Sequence, residues 1–251
     1  MKPEVIPFDR AKVVLVGPMG GGKTEIAINY AISWARNLKK TVGLMDLDMV
    51  KPCFRLRSTR VDFESEPVEL ILPEERYGYA DFPIISARME SYVLDPSRPL
   101  VVDMGGDPVG ARLLGRYRGR IAPEHVHLFY VYNGRRPFSR GEEDSRELLD
   151  SIGRVCGFPI TGLIHNTNLM DESTPEILAG EMHNARQLAD KFGIPIQFHC
   201  IREDLFNEAS KKFRNEPIFP LKLFIRPVWK QQSSIGVNIG KEDLPSALDC
   251  R

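Results

Sequence analysis

The run KVVLVGPMGGGKTEIAINYA, Lys12 to Ala31, decides how the rest of the chain reads. Val13 to Val16 carry a buried-strand signal, and the glycine-rich segment Gly17 to Thr24 follows at once. Gly20, Gly21 and Gly22 let the backbone curl with its N–H groups pointing inward, an arrangement that cradles an oligophosphate. The helical pattern beyond them would add its positive N-terminal end at the same place. In the pattern GxxxxGK[ST], Lys23 reaches the β- and γ-phosphates and the Thr24 hydroxyl ligates Mg2+. A glycine-rich turn that happens to end in Lys-Thr is the plainer alternative. The strand before it and the helix after it favour the phosphate loop.

Working outward, short β-rich runs alternate with helical patterns. Ile26, Ala27, Tyr30, Ala31, Trp34 and Leu38 recur at helical spacing, which predicts a helix with one face on a sheet. Thr41 to Met45 reads as a second strand, leading into Asp46-Leu47-Asp48. The stretch 49–99 is irregular and insert-like, broken by Pro52, Pro67, Pro73, Pro83 and Pro96. Within it Val68 to Leu72 reads as a strand, and a helix is expected to start near Ser86. Leu100 to Val102 is the next strand, and Asp107-Pro108 looks like an N-cap with proline at the first helical position. His127 to Val131 and Ile160 to Ile164 are expected strands, with a helix over Glu142 to Val155 between them. Thr174-Pro175 opens another helix, which buries Leu178, Met182 and Ala185 and stops at Gly193. Ile196 to Ile201 is expected to close the sheet. The pattern predicts an α/β fold, a mostly parallel sheet with helices on both faces, in one domain over 1–222. Residues 223–251, without clear period, read as a C-terminal tail. Ligands of such a sheet sit at the carboxyl ends of its strands.

Three polar positions come just after strands and point to the same chemistry. Asp48 is a candidate to polarise an attacking water or to hold a water of the Mg2+ shell, although a loop carboxylate capping a turn also fits. Asp103, in VVDMGGD, ends a buried apolar run, where a carboxylate is costly unless it faces a metal or a hydrogen-bond network. Gly106 completes a DxxG pattern whose N–H would sense a γ-phosphate. Asn166 comes after Gly162-Leu163-Ile164-His165, and its amide is suited to adenine N6 and N7, or simply to a turn. A guanine site would show NKxD, whereas Asn168-Leu169-Met170-Asp171 lacks the lysine. ATP is therefore the expected nucleotide, with Mg2+.

Composition removes other classes. Thirty-four basic and thirty-four acidic residues leave no net charge, so no broad basic field attracts nucleic acid or an anionic membrane. Arg135-Arg136 and the Arg112–Arg120 cluster read as solvated surface. The N-terminus lacks a signal-peptide pattern, and no apolar run has membrane-spanning length, so a cytoplasmic location is expected. Cys53, Cys156, Cys200 and Cys250 contain no CxxC, which argues against a disulfide framework or a local metal site. The five histidines form no catalytic or metal-ligating spacing and are expected to be structural.

Taken in order, GPMGGGKT, VGLMDLDMVKPCFRLRS, VVDMGGDPVGARLLGRY, VYNGRRPFS and IHNTNLMDEST resemble a bacterial branch of P-loop NTPases grouped with the MinD/ParA/CobQ-like nucleotide-binding proteins. The wider class holds the nitrogenase iron protein and the signal recognition GTPases. The resemblance runs from about Lys12 to Glu208. It implies Gly17 to Thr24 as the phosphate loop, Asp48 on the water side, Asp103 on the magnesium side and Asn166 at the base. It also implies an ATP-sandwiched homodimer. MinD-type members carry a second lysine after the loop's first glycine, where this chain has Pro18; Arg55 and Arg57 are candidates to supply that missing charge. The expected function is a slow MgATPase acting as a nucleotide-dependent switch on an unidentified protein or metabolite partner. An ATP-dependent small-molecule ligase or phosphotransferase, and a nucleotide-stabilised interaction module without turnover, are the alternatives.

Overall fold

Strand β1 (Lys12–Val16) is buried along its whole length, lysine included. The Lys12 ammonium meets this by donating to the carbonyls of Asp95, at 2.8 Å, and Arg98. Burial pushes its pKa down to about 8. The computed structural model describes residues 11–47, 65–72, 86–106, 108–136, 142–167 and 172–225. Helix α1 (Lys23–Leu38) succeeds β1, then β2 (Val42–Leu47), β3 (Val68–Ile71), α2 (Ala87–Leu94), β4 (Leu100–Met104) and α3 (Pro108–Gly115). The second half contains β5 (Val126–Tyr132), α4 (Glu142–Cys156), β6 (Gly162–Asn166), α5 (Pro175–Phe192), β7 (Ile196–Arg202), α6 (Phe206–Lys212) and β8 (Ile218–Leu221). The eight strands form one sheet in the order β3-β2-β4-β1-β5-β6-β7-β8, and every pair is parallel. Connections leave β1 in one direction and later return to its other side, so the sheet's topological switch point lies at β1, where ligands of such sheets bind.

Both faces are covered, unequally. Among the described residues α1 is the sole helix on one face, where Tyr30 and Trp34 pack with Leu15, Leu44, Phe129 and Phe198. The opposite face carries α2, α3 and α4 over Val14, Met45 and Val102, and α5 and α6 over Leu163, Ile201 and Ile218. The expected ends of α5 are present: Thr174 accepts from the Ile177 N–H, and Gly193 ends the helix in the left-handed region. Ser86, near which a helix is expected to start, accepts from the Met89 N–H, and the expected cap Asp107 lies outside the described residues.

Two elements go beyond the sequence reading. Helix α1 is not buried on its sheet-facing side alone, for Ile28, Asn29 and Ile32 are buried as well. The segment 222–225 lies along it: Asn29 donates to the Lys222 carbonyl and accepts from its N–H, both at 2.9 Å, and Glu25 accepts from Phe224 and Ile225. Nor does β7 close the sheet, since β8 pairs beyond it. Its Pro220 suits an edge position, where a missing N–H costs no central ladder bond.

Two of the histidines are paired inside the fold. His165 and His199 meet through their Nδ1 atoms at 2.8 Å on the face away from α1, and His199 Nε2 lies 3.3 Å from Glu216. A proton on His199 Nε2 facing that carboxylate leaves its Nδ1 to accept from His165 Nδ1–H. Burial lowers both pKa values, that of His199 to about 4.

Candidate phosphate-binding site

The loop between β1 and α1 is shaped by its glycines. Gly22 precedes the first helical residue at φ 89°, a left-handed conformation that side chains resist, and Gly20 adopts φ 76°. Gly22 supplies no side-chain cap to the helix, which leaves its first N–H groups directed at the loop's mouth. Gly106 is fixed by contact instead, because a β-carbon there would lie 2.3 Å from the Gly17 carbonyl oxygen. The DxxG glycine therefore touches the first glycine of the loop. A group that moves one of them is felt by the other.

Lys23 is buried, 1% exposed, not the open loop side chain that a surface reading would suggest. Its ammonium donates to the carbonyls of Gly17 at 2.9 Å and Pro18 at 3.0 Å, across the curl of the loop. From that place it faces whatever the loop encloses. Thr24 and Asp103, 79 residues apart in sequence, are joined by a 2.5 Å hydrogen bond from Thr24 Oγ1 to Asp103 Oδ2, and both are buried. Sheet order makes this contact possible: β4 is the direct neighbour of β1, with Leu15 opposite Asp103. Asp46 stands opposite Asp103 on the other side, in β2, and is also buried. A hydroxyl at the start of α1 and two carboxylates on adjacent strands are hard oxygen donors of the kind Mg2+ takes alongside substrate phosphates. The donor set fits that ion.

Asp46 is the acid that sequence reasoning passed over in favour of Asp48. The signal was present, since Asp46 alternates with Leu44 along β2 and so shares its face. Asp48, Arg55 and Arg57 lie outside the described residues, as do Asn168 and Asp171. Pro18 is described and buried, so this position does not project outward from the loop; Met19 beside it is 49% exposed.

Asn166 is brought to the underside of the loop. Its Nδ2 donates to the Gly21 carbonyl at 2.7 Å, and the side chain is 1% exposed. A β-carbon on Gly22 would fall 2.2 Å from that nitrogen. The amide braces the underside of the loop, and Gly22 has no side chain partly because Asn166 occupies the space.

The Arg135-Arg136 pair is not plain solvated surface either. Arg135 forms an ion pair with Glu181 of α5 at 2.8 Å, and its N–H is held by Asn133 Oδ1. Arg136 turns back toward the loop, its Cδ within 3.9 Å of a β-carbon built on Gly20.

A strand, glycine loop and helix on a parallel sheet, with the loop's threonine bonded to the aspartate of the neighbouring strand, define the phosphate-loop NTPase fold. No protein family and no curated protein matches the chain. Among solved structures it is similar to FlhF complexed with GTP and Mg2+, at 15% identity and TM-score 0.49, covering 77% of this chain and 66% of that one. It is also similar to the cell division protein FtsY of Thermotoga maritima, at 16% identity and TM-score 0.47, covering 79% and 67%. A third likeness is to a nucleotide-binding protein of Archaeoglobus fulgidus in complex with ADP, at 12% identity and TM-score 0.43, covering 80% and 85%. The chain spans about two thirds of the length of the FlhF and FtsY structures. Function must come from the residues of this chain. Among the described residues no helix is long and apolar enough to cross a membrane.

Proposed function

We propose that this chain binds a magnesium nucleoside triphosphate at the Gly17–Thr24 loop and hydrolyses it slowly, using the cycle as a conformational switch. The observation that carries the reading is the convergence of Lys23 and Thr24, at the start of α1, with Asp103 of the neighbouring β4 at one glycine loop. Lys23 would neutralise phosphate oxygens, Thr24 would ligate Mg2+, and Asp103, bonded to Thr24, would hold the ion's water shell with Asp46 beside it. The contact of Gly106 with Gly17 supports the switch, because loss of a γ-phosphate at the loop would be felt directly by the segment after β4. ATP is the proposed nucleotide. With Asn166 engaged under the loop, its support is the missing lysine in Asn168-Leu169-Met170-Asp171. Membership of the MinD/ParA/CobQ-like group and a nucleotide-promoted homodimer belong to the same proposal, supported by the order of motifs along the chain.

Competition calorimetry with MgATP and MgGTP tests it on wild type and Asp103→Asn. Wild type is expected to prefer MgATP, and Asp103→Asn to lose most of the Mg2+-dependent part of the affinity. Equal or tighter GTP binding would reassign the base, and no binding of either triphosphate would end the proposal.

A further inference from the structure

Strand β5 runs directly against the phosphate loop: a β-carbon on Gly17 would lie 2.5 Å from the Val131 carbonyl oxygen. The chain leaving β5 must therefore pass the loop's mouth. It does so in a tight turn over Asn133 to Arg136. The Arg136 N–H donates to the Asn133 carbonyl, and Asn133 Oδ1 accepts from the Arg135 N–H, both at 3.1 Å. This side-chain turn is a local device of asparagine that reverses the chain in four residues. It sends the two arginines apart. Arg135 goes to Glu181, and Arg136 is laid beside Gly20.

Two buried donors at this turn have no hydrogen-bond partner among the described residues, Arg136 Nε and Asn133 Nδ2. Asn133 is fully buried, so water does not serve it from outside. A guanidinium stays charged under all ordinary conditions, and a buried donor without an acceptor is costly, more so when it carries charge. Two such donors at one turn, next to a loop whose shape already suits an anion, call for an acceptor with several oxygens.

We propose that Arg136 is a cation this chain supplies, from its own β5 turn, to the phosphate chain of the nucleotide held by the loop, with the Asn133 amide positioned beside it. The proposal rests on the nucleotide-binding reading above and adds to it the residue that closes the Gly20 side of the loop. Guanidinium suits the task, since Nε and one terminal nitrogen form a planar fork that matches two phosphate oxygens. Lys23 approaches from within the curl and Arg136 from its rim, so the two cations need not compete for the same oxygens.

The experiment compares wild type, Arg136→Ala and Arg136→Lys for binding of inorganic tripolyphosphate and of MgATP. Arg136→Ala is expected to weaken both by about tenfold or more, the usual effect of losing a charge-assisted pair. Arg136→Lys should recover part of that affinity, since it restores the charge without the fork. The ligand-free melting temperature of Arg136→Ala should stay at or above wild type, because the lost Nε has no partner among the described residues to leave behind. Unchanged tripolyphosphate affinity in Arg136→Ala overturns the proposal while leaving the nucleotide site intact. Weakened MgATP with unchanged tripolyphosphate also overturns it, and would assign Arg136 to base or ribose. Wild type binding neither ligand would instead defeat the nucleotide reading itself.

Discussion

Replacing Glu25 by Gln should change how stability depends on pH, and the structure sets both the sign and the size. Glu25 sits in the first turn of α1, next to Thr24, and is only 8% exposed. Its carboxylate accepts from the N–H of Phe224 at 2.5 Å and of Ile225 at 3.2 Å. Burial raises its pKa from 4.5 to about 7, and the two N–H groups pull the other way without prevailing. A raised folded pKa means that the native state keeps a proton the unfolded chain releases. The contribution is therefore fully present below pH 4.5 and is lost as pH rises through about 7. At about 1.4 kcal/mol per pKa unit, the loss across that window is about 3 kcal/mol. The buried histidines act in the opposite sense. His199, lowered from 6.5 to about 4, costs stability as pH falls through that range, so the wild-type curve alone would mask the Glu25 contribution. Glutamine stays neutral and can still accept from the Phe224 N–H, which makes the difference between the two proteins the informative quantity. Urea unfolding from pH 4 to pH 8 should show wild type losing about 3 kcal/mol relative to Glu25→Gln, nearly all of it between pH 4.5 and 7. Two parallel curves would refute the reasoning and would mean that the 222–225 segment does not bury this carboxylate in solution.

Two other substitutions separate structure from binding at the loop. Lys23→Ala should abolish triphosphate binding by calorimetry, and it should also lower unfolding free energy by about 1–3 kcal/mol, because the Gly17 and Pro18 carbonyls lose a buried charged donor. Asn166→Ala should weaken ATP and GTP binding by the same factor, since its bond to Gly21 shapes the loop whichever base is bound; a loss confined to ATP would place Asn166 at the base site.

Features that depend on near neighbours could be read in the sequence. The eight residues from Gly17 to Thr24 carry their own geometry, and Asp103 was visible because a carboxylate in an apolar run needs a reason to be there. Partners that depend on strand order were not visible. Alternating strands and helices imply a parallel sheet, but nothing local says that β4 and β5 flank β1, and the Thr24–Asp103 bond depends on the first of these neighbours. Asn166 was found as a site residue, but its bond to Gly21 was not, because that reach depends on where β6 ends relative to the loop. Nothing in the local sequence marks Glu25, since its burial comes from a segment almost two hundred residues away. Arg136 was hidden in the same way: beside Arg135 in sequence it looks solvated, and only the position of β5 brings it to Gly20. The two neighbours of β1 thus deliver opposite charges to the loop, a carboxylate from β4 where a magnesium ion would sit and a guanidinium from beyond β5 where phosphate oxygens would. That division is a consequence of β1 lying inside the sheet. An edge strand would leave the loop with one neighbour, and with either the acid or the base but not both.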